Sequence, residues 1–170
     1  MDLWATGNGD ARVLATMIAD PAAADAKLLE AWAKDLEYYV LADCLARYLL
    51  ANHPNAQKFM EKWTRSKDEW IGRAGWMTLA VIAGTLDEPD AYFDGYLQTI
   101  EKKIHGSKNR VKDAMIRALI AIALRGDKLE KKAVAAAKAI GKVDVDHGET
   151  HCVTPDPIPY IAKAKKRKKK

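Results

Sequence analysis

The sequence predicts an all-α fold in which HEAT-like helix pairs stack into a curved solenoid. Three observations carry that expectation. From Asp10 to Lys142 the apolar residues recur with a period near 3.6, and strict alternation is scarce. Turn chemistry cuts the stretch into about eight segments of helical length. A short pattern also returns at offsets of 32 and 40 residues, within the range of helix-pair repeats.

The elements follow in order. Asn8 or Asp10 caps a first helix reaching about Ala19, where Asp20-Pro21 stops it. Asp25 caps the second, AKLLEAWAKD, and the third runs from about Leu36 to Ala51, ending at Asn52-His53-Pro54. Pro54 suits the first turn of a fourth helix reaching Thr64, because the N–H it lacks would have no partner there. Ser66 or Asp68 starts the fifth, with Asp68 and Glu69 against the positive end of the helix dipole, and Gly84 ends it. A sixth helix spans Asp87 to Ile104, a seventh Ser107 to Leu124 and an eighth Asp127 to Ile140, with Gly126 and Gly141 at the stops. Beyond Gly141, four prolines or glycines in Gly148–Pro159 and no helical period predict an irregular arm. The expected organisation is a helical repeat domain over 1–142, an irregular C-terminal arm over 143–160 and a basic disordered tail over 161–170.

The repeat lies in three windows. Glu69–Leu79 over Asn109–Leu119 pairs Ile71 with Val111, Ala74 with Ala114 and Leu79 with Leu119. Glu37–Leu45 fits the same frame with Ala42 at the shared alanine. An ordinary helical bundle with chance similarity is the competing reading.

Composition narrows the function classes. At 170 residues and 49% hydrophobic, the chain can bury the core of one domain. No apolar run approaches a membrane span, and MDLWATGNGD lacks the basic and apolar regions of a secretory signal. Cys44 and Cys152 suggest no disulfide framework, so the expectation is a cytoplasmic protein with reduced thiols and no membrane partner. The formal charge of +5 is localised: the last ten residues carry seven positive charges, and without them 21 basic residues face 23 acidic ones, a net of −2. Such a tail fits a polyanion, or serves only as a solvated segment.

Asp43 stands out in the repeat frame, where the later windows carry Gly75 and Met115. Tyr39 lies four residues earlier on the same helix face, beside Tyr38. A carboxylate beside an aromatic ring can stabilise a developing cation or orient a water. It can equally be a solvated acid, or one paired with a base such as Arg73. Arg73 lies between Gly72 and Gly75, small residues that permit close approach, and its rigid fork of donors suits phosphate or carboxylate. Lys102-Lys103-Ile-His105-Gly-Ser-Lys108-Asn-Arg110-Val-Lys112 places five basic residues across a turn and a new helix N-terminus, a phosphate contact or a solvated turn. Asp146-His147-Gly-Glu149-Thr-His151-Cys152 holds metal-ligand types without the spacing of a zinc site, and neither a metal nor a cofactor is expected. Gly7-Asn8-Gly9 is no phosphate fingerprint, and Trp32, Trp63, Trp70 and Trp76 read as core.

With these residues in hand, the chain resembles the DNA alkylation repair family of HEAT-like repeat proteins. The matching stretches are LWATGNGDARVLATMIADP, WAKDLEYYVLADCL, EKWTRSKDEWIGRAGWMTLAVIA, NRVKDAMIRALIAIAL and GKVDVDHGETHCVTPDPIPYI, which cover nearly all of 3–160. The resemblance implies an N3-/N7-alkylpurine DNA glycosylase that hydrolyses the N-glycosidic bond of cationic bases in duplex DNA and leaves the lesion stacked. By matching position it implies Asp43 as the carboxylate that stabilises charge on the deoxyribose, Tyr39 as the sugar-facing aromatic and Arg73 as a phosphate anchor. Tyr38, Lys108, Arg110, Lys112 and Arg117 complete the expected DNA contacts of a monomer. Tyr39 replaces the family's usual Trp, and Arg117 or Ile116 stands where a second aromatic is usual. The helices that normally precede LWATGNGDAR are not in the chain. A non-catalytic DNA-binding paralogue using the tail and Lys102–Lys112, or a protein-interaction scaffold, are the alternative functions.

Overall fold

The computed structural model describes residues 2–168, and every regular element among them is helical. The chain divides into two compact units, Met1–Val81 and Ile82–Lys170.

The first unit holds α1 (Asp2–Ala5), α2 (Gly9–Ile18), α3 (Ala26–Lys34), α4 (Tyr39–Cys44), α5 (Ala56–Trp63) and nearly all of α6 (Glu69–Ile82). The caps are those the sequence offers. The Asn8 side chain accepts from Ala11 N at 3.0 Å and Asp25 from Leu28 N at 2.7 Å. Asp68 accepts from Trp70 N and Ile71 N. One core joins the elements. Trp4 and Trp32 stack at 4.1 Å between centroids, and Leu41, Leu45, Leu49, Trp63 and Ala74 lie within it. Arg12 closes its edge, bonding the Trp4 carbonyl and reaching Asp35 and Glu37. His53 donates from Nε2 to the Ala24 carbonyl and accepts the Asn55 N–H at Nδ1, which fixes the turn before α5.

The third expected helix is not one uninterrupted α-helix. It begins as α4, widens into a π-helical turn over Leu45–Leu49 and tightens into a 3₁₀ turn over Leu50–Asn52. The cause is in its spacing. The apolar pairs Leu41/Ala42, Leu45/Ala46 and Leu49/Leu50 recur every fourth residue, and all six residues are 0% exposed. A period of four drifts around a 3.6-residue helix, and a wider turn brings the pairs back to one face. Asn52 then donates its amide to the Arg47 and Tyr48 carbonyls. Pro54 precedes α5, which starts at Ala56 behind Asn55, so it does not occupy the first helical turn.

The second unit holds α7 (Asp90–Lys103), α8 (Asn109–Ala123), α9 (Asp127–Ile140) and α10 (Pro157–Lys168). α7 packs on α8 and α9, and the ion pair Lys132–Asp94 at 2.6 Å ties α9 to α7. Arg125 sits over the Phe93 ring at 3.8 Å and donates to the Ala83 and Glu88 carbonyls. Irregular chain from Gly141 to Asp156 then lies along α8. The Asn109 side chain donates to the Asp146 carbonyl at 2.6 Å and accepts the Asp146 N–H at 2.8 Å.

α10 overturns the expected division at 160/161 and the disordered tail. Asp156 caps it by accepting from Ile158 N, and Pro157 and Pro159 fall in the first turn, where a missing N–H costs no helical bond. Ile161 is 1% exposed against α8 and α9, and Lys165 bonds both Asp127 and Glu130 of α9. Residues 169–170 of the expected tail lie outside the described residues.

The repeat frame is visible in the packing: Ala42, Ala74 and Ala114 are each 0% exposed. Beside Ala74, a Cβ built on Gly75 would stand 2.5 Å from both the Trp63 carbonyl carbon and Thr64 N. That contact is backbone on backbone, and the neighbour cannot rotate away. Gly75→Ala is therefore expected to destabilise the protein by about 1–3 kcal/mol or more. Gly84→Ala, which meets nothing within 4 Å, should change stability little. Paired denaturant melts of the two variants check this.

Candidate nucleic-acid interface

In the first unit the structure brings Tyr38, Tyr39, Asp43 and Arg73 together around the start of α4. Tyr38 ends the extended chain before α4 and donates its phenol to the Gly9 carbonyl at 3.1 Å. Burial, with the charge of Asp10, pushes that phenol's pKa up. Tyr38 thus ties α4 to the N-terminus of α2. Tyr39 and Asp43, one turn apart, present a ring and a carboxylate to Arg73 on α6.

Arg73 reaches Asp43 with two parallel bonds, Nε to Oδ1 at 2.7 Å and Nη2 to Oδ2 at 2.8 Å, and its guanidinium carbon stands 5.5 Å from the Tyr39 ring centroid. A bidentate, charge-assisted pair fixes both position and plane of the carboxylate. Exposure is unequal: the Arg73 side chain is 2% exposed and that of Asp43 27%. The ion pair that the sequence left open is the one formed. A guanidinium so buried offers a phosphate almost no surface, so the expected anchor is the partner of the carboxylate instead. Removing one member of such a pair leaves the other charge uncompensated, at a cost of about 3–5 kcal/mol where it is buried.

Next to Asp43, Cys44 is half-buried. Burial raises the pKa of its thiol and the Asp43 charge raises it further, with Arg47 acting the other way.

The basic residues of the second unit separate into two kinds. Lys102, Lys103 and Lys108 are exposed, Lys108 at the N-cap position of α8. Arg110 and Arg117 are instead drawn into a polar chain that the sequence did not disclose. Arg117 Nε donates to Asp113 Oδ2 at 2.9 Å, and the Thr154 hydroxyl donates to Asp113 Oδ1 at 2.9 Å. His147 bonds Thr154 through Nε2 and Arg110 through Nδ1, both at 3.0 Å. Lys112 is half-buried on the same helix. Asp113 is 1% exposed, and its spacing of four from Arg117 was the available signal. Ile116, the other candidate for the missing aromatic, is buried at 2%. Among the described residues no group of three His, Cys, Asp or Glu could hold a metal ion. His147 serves the arm instead. No helix among them is long and apolar enough to cross a membrane.

Comparison with known proteins bears on the family and the fold. Residues 1–150 match the family described as DNA alkylation repair enzyme, and the chain belongs to that family. An uncharacterised protein of Listeria innocua is 32% identical over 119 residues, 70% of this chain and 51% of the relative. One of Listeria monocytogenes is 31% identical over 121 residues, 71% of this chain and 52% of the relative. The chain thus spans about half the length of the curated relatives it matches. A solved structure superposes with a TM-score of 0.87 at 30% identity, covering 98% of this chain and 72% of its own. It is described as a new family of proteins related to the HEAT-like repeat DNA glycosylases with affinity for branched DNA structures. The all-α HEAT-like repeat fold and the family expected from the sequence are those observed.

The cysteine beside the ion pair reports on it. In a Cys152→Ser background, Asp43→Asn removes a negative charge that holds the Cys44 thiol protonated. The thiolate is the reactive form, so the pH profile of Cys44 alkylation by iodoacetamide should move to lower pH in the variant. An unmoved profile would contradict the electrostatic coupling.

Proposed function

We propose, from membership of that family, that the chain acts in DNA alkylation repair by hydrolysing the N-glycosidic bond of N3- or N7-alkylated purines in duplex DNA. The observation that carries the reading is the held carboxylate. Asp43 stays partly exposed while Arg73 fixes its plane and Tyr39 flanks it one turn earlier. An alkylated purine is already cationic and leaves without being protonated first. The barrier then lies in the positive charge that develops on the deoxyribose as the C–N bond opens. A preoriented carboxylate stabilises that charge in the transition state and aligns the water that completes hydrolysis. In this reading Tyr39 faces the sugar and Arg73 positions Asp43. The phosphates fall to exposed cations such as Lys108, with Lys112 beside it and Arg110 and Arg117 anchoring the helix that presents them.

A second reading is a DNA-binding protein without turnover. Two observations favour it: the relative with affinity for branched DNA, and a carboxylate whose two oxygens both already accept from a guanidinium. Release of 7-methylguanine from methylated duplex DNA separates the readings. Wild type is expected to release it, and Asp43→Asn to lose at least about a hundredfold, as for loss of one preorganised electrostatic group. Both proteins are first verified as folded by their melting transitions. Equal release from both would sink the role of Asp43, and branched-DNA binding with no release by wild type would establish the second reading.

A further inference from the structure

We infer that the outward face of α10 is a binding surface for DNA that carries unpaired bases at a branch or gap. The inference deepens the DNA-binding reading above and rests on it.

The surface comes from the two-sidedness of the helix. The docked side is fixed by Ile161, 1% exposed, and by Lys165, whose ammonium lies between Asp127 and Glu130 of α9. Those two carboxylates raise the pKa of Lys165, through its hydrogen bond to Asp127 first and to Glu130 second. Its charge is thereby matched within the fold. At 100° per residue, Tyr160, Lys163, Lys166 and Arg167 share the opposite side of α10, and all four are exposed. None of the three cations among them forms an ion pair with an acid among the described residues. Tyr160 is 51% exposed, an aromatic ring set in solvent beside three positive charges.

Cations at helical spacing match the phosphates of a strand, and an exposed ring supplies a platform on which any base can stack. A base inside a continuous duplex has no free face to give, whereas one at a branch or gap does. Residues 1–160 carry a net charge of −2, so attraction for a polyanion is concentrated here and in the Lys102–Lys112 cluster. Because α10 is folded and docked, these side chains meet the strand on a common face, without ordering a flexible segment first.

The test measures binding of the full chain to a gapped DNA, to an uninterrupted duplex of equal length and to anionic phosphatidylserine vesicles, over a range of salt. Wild type is expected to prefer the gapped DNA. Tyr160→Ala should lower affinity for gapped DNA by about tenfold and leave duplex affinity nearly unchanged. The triple change Lys163→Ala, Lys166→Ala and Arg167→Ala should reduce the slope of log affinity against log salt by about two to three on both DNAs. Lys165→Gln should leave that slope nearly unchanged, because its charge is already matched by Asp127 and Glu130. These side chains are all exposed, and Lys163→Glu alone provides a milder second variant. An unchanged slope in the triple variant, equal effects of Tyr160→Ala on both DNAs, or tighter binding to vesicles than to gapped DNA would overturn the inference. Wild type that binds no DNA would instead remove the reading on which it rests.

Discussion

The Asp43–Arg73 pair is the constraint around which the first unit is arranged. A guanidinium taken out of water must be matched, and here its partner sits on α4, thirty residues earlier in the chain. The geometry requires α4 and α6 to lie within reach of two short bonds. α6 attains its position because Gly75 lets its backbone meet the end of α5. α4 attains its own because Tyr38 ties its start to α2 and the π-helical turn keeps Leu45, Leu49 and Leu50 in the core. The carboxylate is then left partly in solvent while the guanidinium that holds it is buried. Its orientation is a property of the fold and needs no ligand to establish it.

The second unit solves the same problem differently. Asp113 is buried on α8 and compensated by Arg117 on its own helix and by Thr154 on the arm. Thr154 can donate to the carboxylate because it accepts from His147 Nε2, and His147 Nδ1 in turn accepts from Arg110. The direction of every bond follows from the two ends, a carboxylate that only accepts and a guanidinium that only donates. The chain holds an arm with no regular backbone bonding against α8, and the Asn109–Asp146 pair repeats the device one turn earlier. Asp146 and His147, which look like metal ligands in the sequence, are structural links.

Most of the fold could be read from residues whose physics is local. Asn8, Asp25 and Asp68 cap the helices they precede, and Gly141 adopts a φ of +66° where a helix stop was expected. The shared alanine of the repeat marks buried positions because only a small side chain fits between packed helices. What escaped depends on partners distant in sequence. The helicity of 157–168 needs acids on α9 to neutralise Lys165 and a groove to take Ile161, and neither is visible in a run of lysines. The π-helical turn was legible in the four-residue spacing of its apolar pairs, which a search for a 3.6 period passes over. Tyr39, Asp43 and Arg73 were legible as residues. Whether Arg73 faced a phosphate or the carboxylate depended on burial.

Burial also bears on how such a carboxylate could act on a cationic sugar. In the resting protein Arg73 offsets the charge of Asp43, so the pair presents a dipole to solvent more than a net anion. A dipole whose negative end is the accessible one still favours a cation brought against it, and it does so with little reorganisation because both ends are held. What it lacks is long-range attraction for DNA, which falls as the net charge of the site falls. Binding and chemistry would then be carried by different residues. On the proposed reading, exposed cations on α8 and α10 would attract the backbone, and the neutralised pair would act only on a sugar already placed beside it. That division accounts for a body with a net charge of −2 in a family of DNA repair proteins.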